Sequence, residues 1–411
     1  MKNILFILFL TVCVACKTDS DKKNKDVTIK EDVAFLADDK LEGRQTGSDG
    51  ELAAAAYIAE RFEALGLSTK GPDGYFQTFT FKPKTDPHQE VNYTVKDGDS
   101  TITGTNVIGF LDNKAENTII IGAHYDHLGY GAEGSLFRGE SQEIHNGADD
   151  NASGVAVLLN LAKKLKKKNK GNNYLFIAFS GEEMGLLGSN YFTKHSTIDL
   201  SKANYMLNMD MVGRLKQDST LAVYGVGTSP ILKQVVKANN SKFKIIENES
   251  GVGPSDHTSF YNSDIPVLHF FTGQHEDYHK PGDDIEKLNY KGMETISTYI
   301  FDIISDLDDN GKLPFRKTKN ESEDVPRFKV GLGVIPDYLY DGKGMRIDGV
   351  SEDKPAQKAG LQKGDVVVKL GDSLVTDMMS YMRALSAFDT GDKTKVTVKR
   401  GTDEVEAEIE F

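Results

Sequence analysis

Between residues 27 and 310 the spacing of apolar positions changes several times along the chain. "ELAAAAYIAERFEALGL", preceded by "TGSDG", repeats its apolar residues at helical spacing and stops at Gly66. Residues from about 27 to 70 therefore read as helical with one break. Three β-rich stretches follow, "YFQTFTF", "VNYTVK" and "TNVIGFL". The pattern then alternates: "NTIIIGAHYDH" predicts a buried strand, "GVAVLLNLAKKL" a helix, and "NYLFIAFSGEE" and "NYMLNMDMVG" two more strands. "LAVYGVG" and "IPVLHFF" predict further strands, with helices over 229–240, 255–263 and 290–309. Strands separated by helices make an α/β fold, expected here as a mixed, mostly parallel central sheet flanked by helices. The pattern breaks at 308–326, rich in charge, proline and turn formers. Beyond it lie short strands and turns around one helix, "TDMMSYMRALSAF". The expected organisation is a signal peptide (1–15), a tether (16–26), an α/β domain (27–310), a flexible linker (311–325) and a small β-rich domain (326–411).

Residues 1–15 belong to targeting rather than to the fold. One lysine precedes the apolar run Ile4–Ala15, which is too short to span a bilayer as a mature helix. It ends in "CVAC", which resembles a bacterial lipoprotein signal whose cysteine, here Cys16, becomes the lipidated first residue. Cys13 stands where that signal usually has leucine, and an ordinary cleaved secretion signal is the alternative. A lipid on Cys16 implies a membrane anchor and a place in the bacterial cell envelope. The polar stretch "KTDSDKKNKD" suits a tether. The formal net charge of −13 over 411 residues argues against nucleic acid as a partner, which would need a basic face. The run "KKLKKKNK" reads as the solvated, dipole-favoured end of a helix.

Both cysteines, Cys13 and Cys16, lie in the N-terminal targeting stretch and its tether, so any metal site must use His, Asp and Glu. Those residues gather at predicted strand ends, where α/β sheets bind ligands. "GAHYDHLG" holds His124, Asp126 and His127; "NGADDNASG" holds Asp149 and Asp150; "FSGEEMGLLGS" holds Glu182 and Glu183; "LNMDMVG" holds Asp210; "DYHKPGDD" holds His279, Asp283 and Asp284. Each alone reads as a cap, a solvated turn or a hydrogen-bonded histidine. Together, acids converging on one sheet edge would repel unless something positive lay between them. Two divalent cations would meet that need.

"LEGRQTGS", "GAHYDHLG", "NGADDNASG", "SGEEMGLLGS", "NMDMVGR", "SDHTSF" and "YHKPGDD" occur in the order found in the co-catalytic di-zinc aminopeptidases, and residues 27–310 resemble that family. Its relatives include glutamate carboxypeptidases and single-zinc glutaminyl cyclases. The resemblance implies a zinc exopeptidase-like fold and two zinc ions per chain. Asp150 would bridge both ions, His124 and Asp210 would complete one, and Glu183 and His279 the other. It implies Glu182 as general base, activating a zinc-bound water to hydrolyse N-terminal residues from peptides. Asp126 would accept from the His124 ring to fix its tautomer. Asp149, Asn151 and Asp283 stand where they could support ligands, whereas His127, His145 and His257 have no ligand position in the family pattern. The tyrosine that some relatives place before "SDH" to stabilise the oxyanion is missing, so that donor is unassigned. Glutaminyl cyclases share similar ligands, but they carry a tryptophan directly before the last metal histidine, where this chain has Tyr278.

The C-terminal stretch, "VGLGVIPDY" followed by "PAQKAGLQKGDVVVKLGD", resembles a PDZ domain of bacterial envelope proteases. The resemblance implies that the turn 331–333 binds peptide C-termini, with the helix Asp377–Phe388 as the far wall of the groove. A non-catalytic PDZ peptide-binding envelope protein is the remaining alternative. Retention of five ligands and Glu182 weighs against it.

Overall fold

The computed structural model of the protein describes residues 27–83, 93–96, 98–131, 134–139, 141–168, 170–319, 328–337, 339–340, 342–351 and 353–411. The expected signal peptide, tether and lipidated Cys16 lie outside them.

Helix α1 (Ile29–Leu36) opens the described chain, and α2 (Asp49–Leu65) begins where Ser48 accepts from the backbone N–H of Glu51. α2 stops at Gly66, whose left-handed backbone (φ 73°) a β-carbon would strain. Strands β1 (Ser68–Thr69), β2 (Phe76–Phe81) and β3 (Ile102–Leu111) come next. Residues 93–96, from the expected strand "VNYTVK", are irregular instead. Then follow β4 (Thr118–His124), α3 (Gly154–Leu165), β5 (Asn173–Phe179), α4 (Leu187–Lys194) and β6 (Ala203–Met209). The domain closes with β7 (Thr220–Tyr224), α5 (Leu232–Ala238), β8 (Lys244–Asn248), α6 (His257–Tyr261), β9 (Val267–Phe271) and α7 (Tyr290–Leu307).

The sheet runs β1-β3-β5-β4-β6-β9-β7-β8, with β2 on β3. It is mixed: β5, β4, β6 and β9 run parallel through the centre, and β1, β2 and β3 join antiparallel. Every residue of β4, β5 and β6 is buried, because successive side chains point to opposite faces and both faces are covered. Tyr174, Phe176 and Ala178 pack under α1, α2, α3 and α7, while Leu175, Ile177 and Phe179 meet Phe192 of α4 and Phe260 of α6 on the other side.

The C-terminal domain has a core of its own, including Leu332, Met345, Ile347, Val367, Leu385 and Val396. Strands β10 (Val334–Pro336), β11 (Met345–Val350), β12 (Val366–Leu370), β13 (Ser373–Leu374), β14 (Lys393–Arg400) and β15 (Asp403–Glu410) pair antiparallel in the order β10-β11-β12-β14-β15, with β13 on β12. Two helices accompany them, the short α8 (Pro355–Lys358) and the expected α9 (Met378–Leu385), which Asp377 and Ser380 start as a capping box.

Residues 311–319, expected as the start of a flexible linker, lie against the α/β domain. Leu313 is buried in its core and its N–H donates to Asn204; the N–H of Arg316 donates to Thr228 O; Phe315 packs beside Tyr261. Apolar side chains inside a polar stretch hold it to the surface. A chain ended after Lys319 should therefore be more stable than one ended after Lys312. The difference should be about 3 kcal/mol, the scale of re-exposing one leucine and part of a phenylalanine. Equal denaturation midpoints for the two truncations would show that this stretch contributes nothing.

Candidate active site

Three neighbouring parallel strands end at one edge of the sheet, and the candidate ligands stand there. His124 is the last residue of β4, Glu182 and Glu183 lie in the turn after β5, and Asp210 follows β6. Asp150 comes from the loop into α3 and His279 from the loop between β9 and α7. In this arrangement one oxygen of Asp150 lies 3.2 Å from His124 Nε2 and the other 3.3 Å from His279 Nε2. Asp210 is 3.4 Å from His124 Nε2, and Glu183 is 3.2 Å from His279 Nε2. These six atoms form two groups that share Asp150. They line a cavity of about 380 Å³ together with Glu182, His269 and Tyr278.

These separations can be compared with what a metal requires. With zinc–ligand bonds of about 2.0–2.1 Å, neighbouring donors of a tetrahedral ion lie roughly 3.3 Å apart. All four contacts match that edge length, and the donors are imidazole nitrogens and carboxylate oxygens, so the residues fit two ions. Two other atoms in reach do not match. Glu182 Oε2 is 4.0 Å from His124 Nε2, longer than an edge, while His127 Nδ1 is 2.7 Å from Glu183 Oε1, a hydrogen bond. Two sets of three side chains lie close enough together to share an ion, His124, Glu182 and Asp210 in one and His127, Asp150 and Glu183 in the other; Glu182 stands farther from His124 than the other carboxylates do, and His127 holds the Glu183 carboxylate.

The surrounding contacts fix the ligands. Gly134 O lies 2.9 Å from His279 Nδ1 and accepts from it, leaving Nε2 to face Asp150. The His124 ring donates to the backbone carbonyl of Asp126 (3.2 Å); its carboxylate, expected in that role, is 3.6 Å away. That carboxylate accepts from Thr46 Oγ1 and from the N–H groups of Glu182 and Glu183, so it sets the Glu-Glu turn instead. Asp283 accepts from the N–H groups of Asp149 and Asp150. Asn151 ties the same loop to the end of β6 by donating to Met209 O and accepting from the N–H of Met211. Asp149 accepts from the N–H of Gly213, and its other oxygen lies 3.2 Å from His275 Nε2. Gly147 must be glycine: a β-carbon there would lie 2.0 Å from Asp150 O.

Electrostatics separates the two adjacent glutamates. Burial pushes the Glu182 carboxyl well above the usual range, and the charges of Asp210 and Glu183 raise it against the pull of His124. Glu183 is also buried, but His279 and the His127 hydrogen bond bring it down to about 2. Burial disfavours charge on His279, yet Glu183 and Asp150 push it up to about 11. The surroundings thus push the two adjacent glutamates apart, Glu182 above the usual carboxylate range and Glu183 below it.

Three contributors escaped the sequence reading. His127 is one. Arg44, inside "LEGRQTGS", is another: its fully buried guanidinium donates to Tyr125 O (2.7 Å), Asn146 O (2.7 Å), Gly147 O (3.1 Å) and Leu36 O. It joins the end of β4 to the loop carrying Asp150. Burial lowers its pKa to about 10, which still leaves it charged at neutral pH. His269 is the third. It lines the cavity, Asn208 Nδ2 donates to its Nδ1 (3.1 Å), and burial pushes its pKa down to about 4. The neutral ring therefore carries its proton on Nε2. The other two histidines without a ligand position lie apart from the clusters: His145 bonds Ser135 and Glu143 O, and His257 stacks on His269.

A mixed α/β sheet with histidine and carboxylate clusters at the ends of its parallel strands has the zinc-exopeptidase fold, here joined to a small antiparallel domain. Residues 106–304 match Peptidase family M28 and residues 316–411 match the PDZ domain. Aminopeptidase YwaD of Bacillus subtilis (strain 168) is 30% identical over 206 residues, 47% of this chain and 42% of that protein. The Alkaline phosphatase isozyme conversion protein of Escherichia coli (strain K12) is 29% identical over 198 residues, 47% of this chain and 53% of that protein. The chain thus spans about half the length of the curated relatives it matches. Among solved structures, a Zn-dependent exopeptidase from Parabacteroides distasonis superposes with a TM-score of 0.55 at 17% identity, over 67% of this chain and 96% of that one. A glutaminyl cyclase from Porphyromonas gingivalis gives 0.54 at 18%, over 68% and 97%.

Proposed function

We propose that the protein is a metallo-aminopeptidase that hydrolyses N-terminal residues from peptides and uses two zinc ions per chain. The observation that carries this reading is Asp150, whose two oxygens address His124 and His279 at almost equal distances. His124, Asp150 and Asp210 would hold one ion, and Asp150, Glu183 and His279 the other. Bound there, zinc would polarise the scissile carbonyl and make a water acidic enough to attack near neutral pH. Glu182 takes that water's proton and delivers it to the leaving amine, a task suited to a carboxyl whose pKa lies well above its neighbour's. His269 offers its Nε2–H to the carbonyl oxygen as negative charge builds there, the role for which no tyrosine is present. His269→Phe should lower kcat by about 10²-fold, the scale of one lost oxyanion donor, with unchanged metal content. An unchanged kcat would remove His269 from the reaction.

Purified mature protein, assayed on aminoacyl and N-blocked substrates with and without chelator, tests the main reading. Chelator-sensitive cleavage restricted to free N-termini is expected. Conversion of N-terminal glutamine with release of ammonia, without peptide hydrolysis, would instead make the protein a cyclase. Tyr278, stacked on His279 with ring centroids 3.9 Å apart, takes the place of the cyclase tryptophan and favours hydrolysis.

The signal-like N-terminus supports a lipid on Cys16 and a location in the bacterial cell envelope. Cys16→Ser should move the protein from the membrane to the soluble fraction, and an unchanged distribution would refute the anchor. The "GLG" turn supports the binding of peptide C-termini by the PDZ domain.

A further inference from the structure

The PDZ domain meets the peptidase beside the catalytic cavity. Leu339, between β10 and β11, is buried against Ala222 and Tyr224 of β7 and Phe271 of β9. Gly273 makes room for it: a β-carbon there would lie 2.5 Å from Leu339 Cδ1. Tyr224 and Phe271 also line the catalytic cavity. Next to this plug a second cavity, of about 460 Å³, opens between the peptidase loop after β8 and the first turns of α9. The two cavities share Tyr224 and Pro254 in their linings, so they lie side by side.

We propose that the second cavity receives the part of a peptide substrate downstream of the scissile bond, and that it selects apolar side chains there. This rests on the aminopeptidase reading and adds where the leaving peptide is held. An aminopeptidase needs a path for the chain beyond its first residues, and a cavity of about 380 Å³ has little room for more than those. The second cavity is the continuation the structure offers. Its PDZ wall is formed by Met378, Met379 and Met382, all half-buried, with Val252 opposite on the peptidase loop. Methionine is unbranched and polarisable, so such a wall adapts to apolar side chains of different shape. The charged groups nearby are already engaged. Arg346 donates to Asp337 (2.8 Å) and lies over the Tyr340 ring, and Asp377 accepts from the Ser380 N–H at the start of α9. With these charges balanced internally, the surface suits an apolar peptide better than an anion.

Full-length Met379→Glu and Met382→Glu, each checked for an unchanged melting profile, are compared with the parent on two substrate types. An aminoacyl anilide has no chain beyond the scissile bond and should be turned over within about twofold of the parent rate. For pentapeptides apolar at positions two to five, kcat/KM should fall by roughly tenfold or more, because the carboxylate would be desolvated against apolar side chains. An equal effect on both substrates, or none on the peptides, overturns the proposal. Binding of a fluorescent apolar pentapeptide, followed by anisotropy, separates the two readings. Binding weakened by Met382→Glu in a protein without peptidase activity would leave the cavity assigned and the aminopeptidase reading refuted. Binding indifferent to both variants in an active enzyme would refute the cavity alone.

Discussion

Replacing Asp150 by alanine should abolish activity, with kcat/KM reduced by more than about 10³-fold, since metal ions supply several kcal/mol of charge stabilisation in such reactions. The reason is geometric. Among the described residues Asp150 is the only side chain that approaches both histidines of the two clusters, so its loss degrades both positions together. Elemental analysis should show both ions reduced, whereas Asp210→Ala should chiefly reduce one. A variant that lost activity while keeping two ions per chain would contradict the bridging role. Burial sharpens the expectation: Asp150 is 4% exposed, so no bulk water stands ready to replace it.

Glu182→Gln should lower kcat by about 10²- to 10⁴-fold, the range of a lost general acid–base group, with metal content unchanged. The amide is nearly isosteric but cannot carry the proton. Glu183→Gln should do the reverse, weakening metal retention first. Its carboxylate sits 3.2 Å from His279 Nε2 and accepts from His127, and an amide satisfies neither partner as well. If Glu182→Gln released metal and Glu183→Gln did not, the roles within the pair would have to be exchanged.

The features read from sequence were those written locally. The apolar runs of β4, β5 and β6 announced buried strands, and each run ended in its own candidate ligand. The two adjacent glutamates have different partners, Glu183 with His127 and His279 and Glu182 facing His124, a difference their neighbouring places in the sequence do not show. What stayed hidden depended on partners distant in the chain. Arg44 donates to backbone carbonyls, whose identity leaves no trace in side chains. His127 became a partner of Glu183 only because β4 and β5 are neighbours in the sheet. His269 lies in an apolar strand, where a histidine looks like any core residue until the cavity beside it is known. β8 went unread because it is a partly exposed edge strand. The stretch 311–319 looked like a linker because its composition is polar, and two apolar residues were enough to fasten it.

The clamp made by Arg44 also bears on the order in which the molecule is assembled. Its acceptors at Tyr125, Asn146 and Gly147 lie 81, 102 and 103 residues further along the chain. The N-terminal helices therefore leave the ribosome long before the groups that hold them in place. Contacts of such long range are entropically expensive to close and slow to form. Until the loop at 146–147 arrives, Arg44 lacks two of its four backbone acceptors. Synthesis that stalled before that loop would leave an arginine-bearing helical segment exposed to proteases, so a cleavage-prone nascent fragment ending near residue 140 is a natural hazard of this architecture.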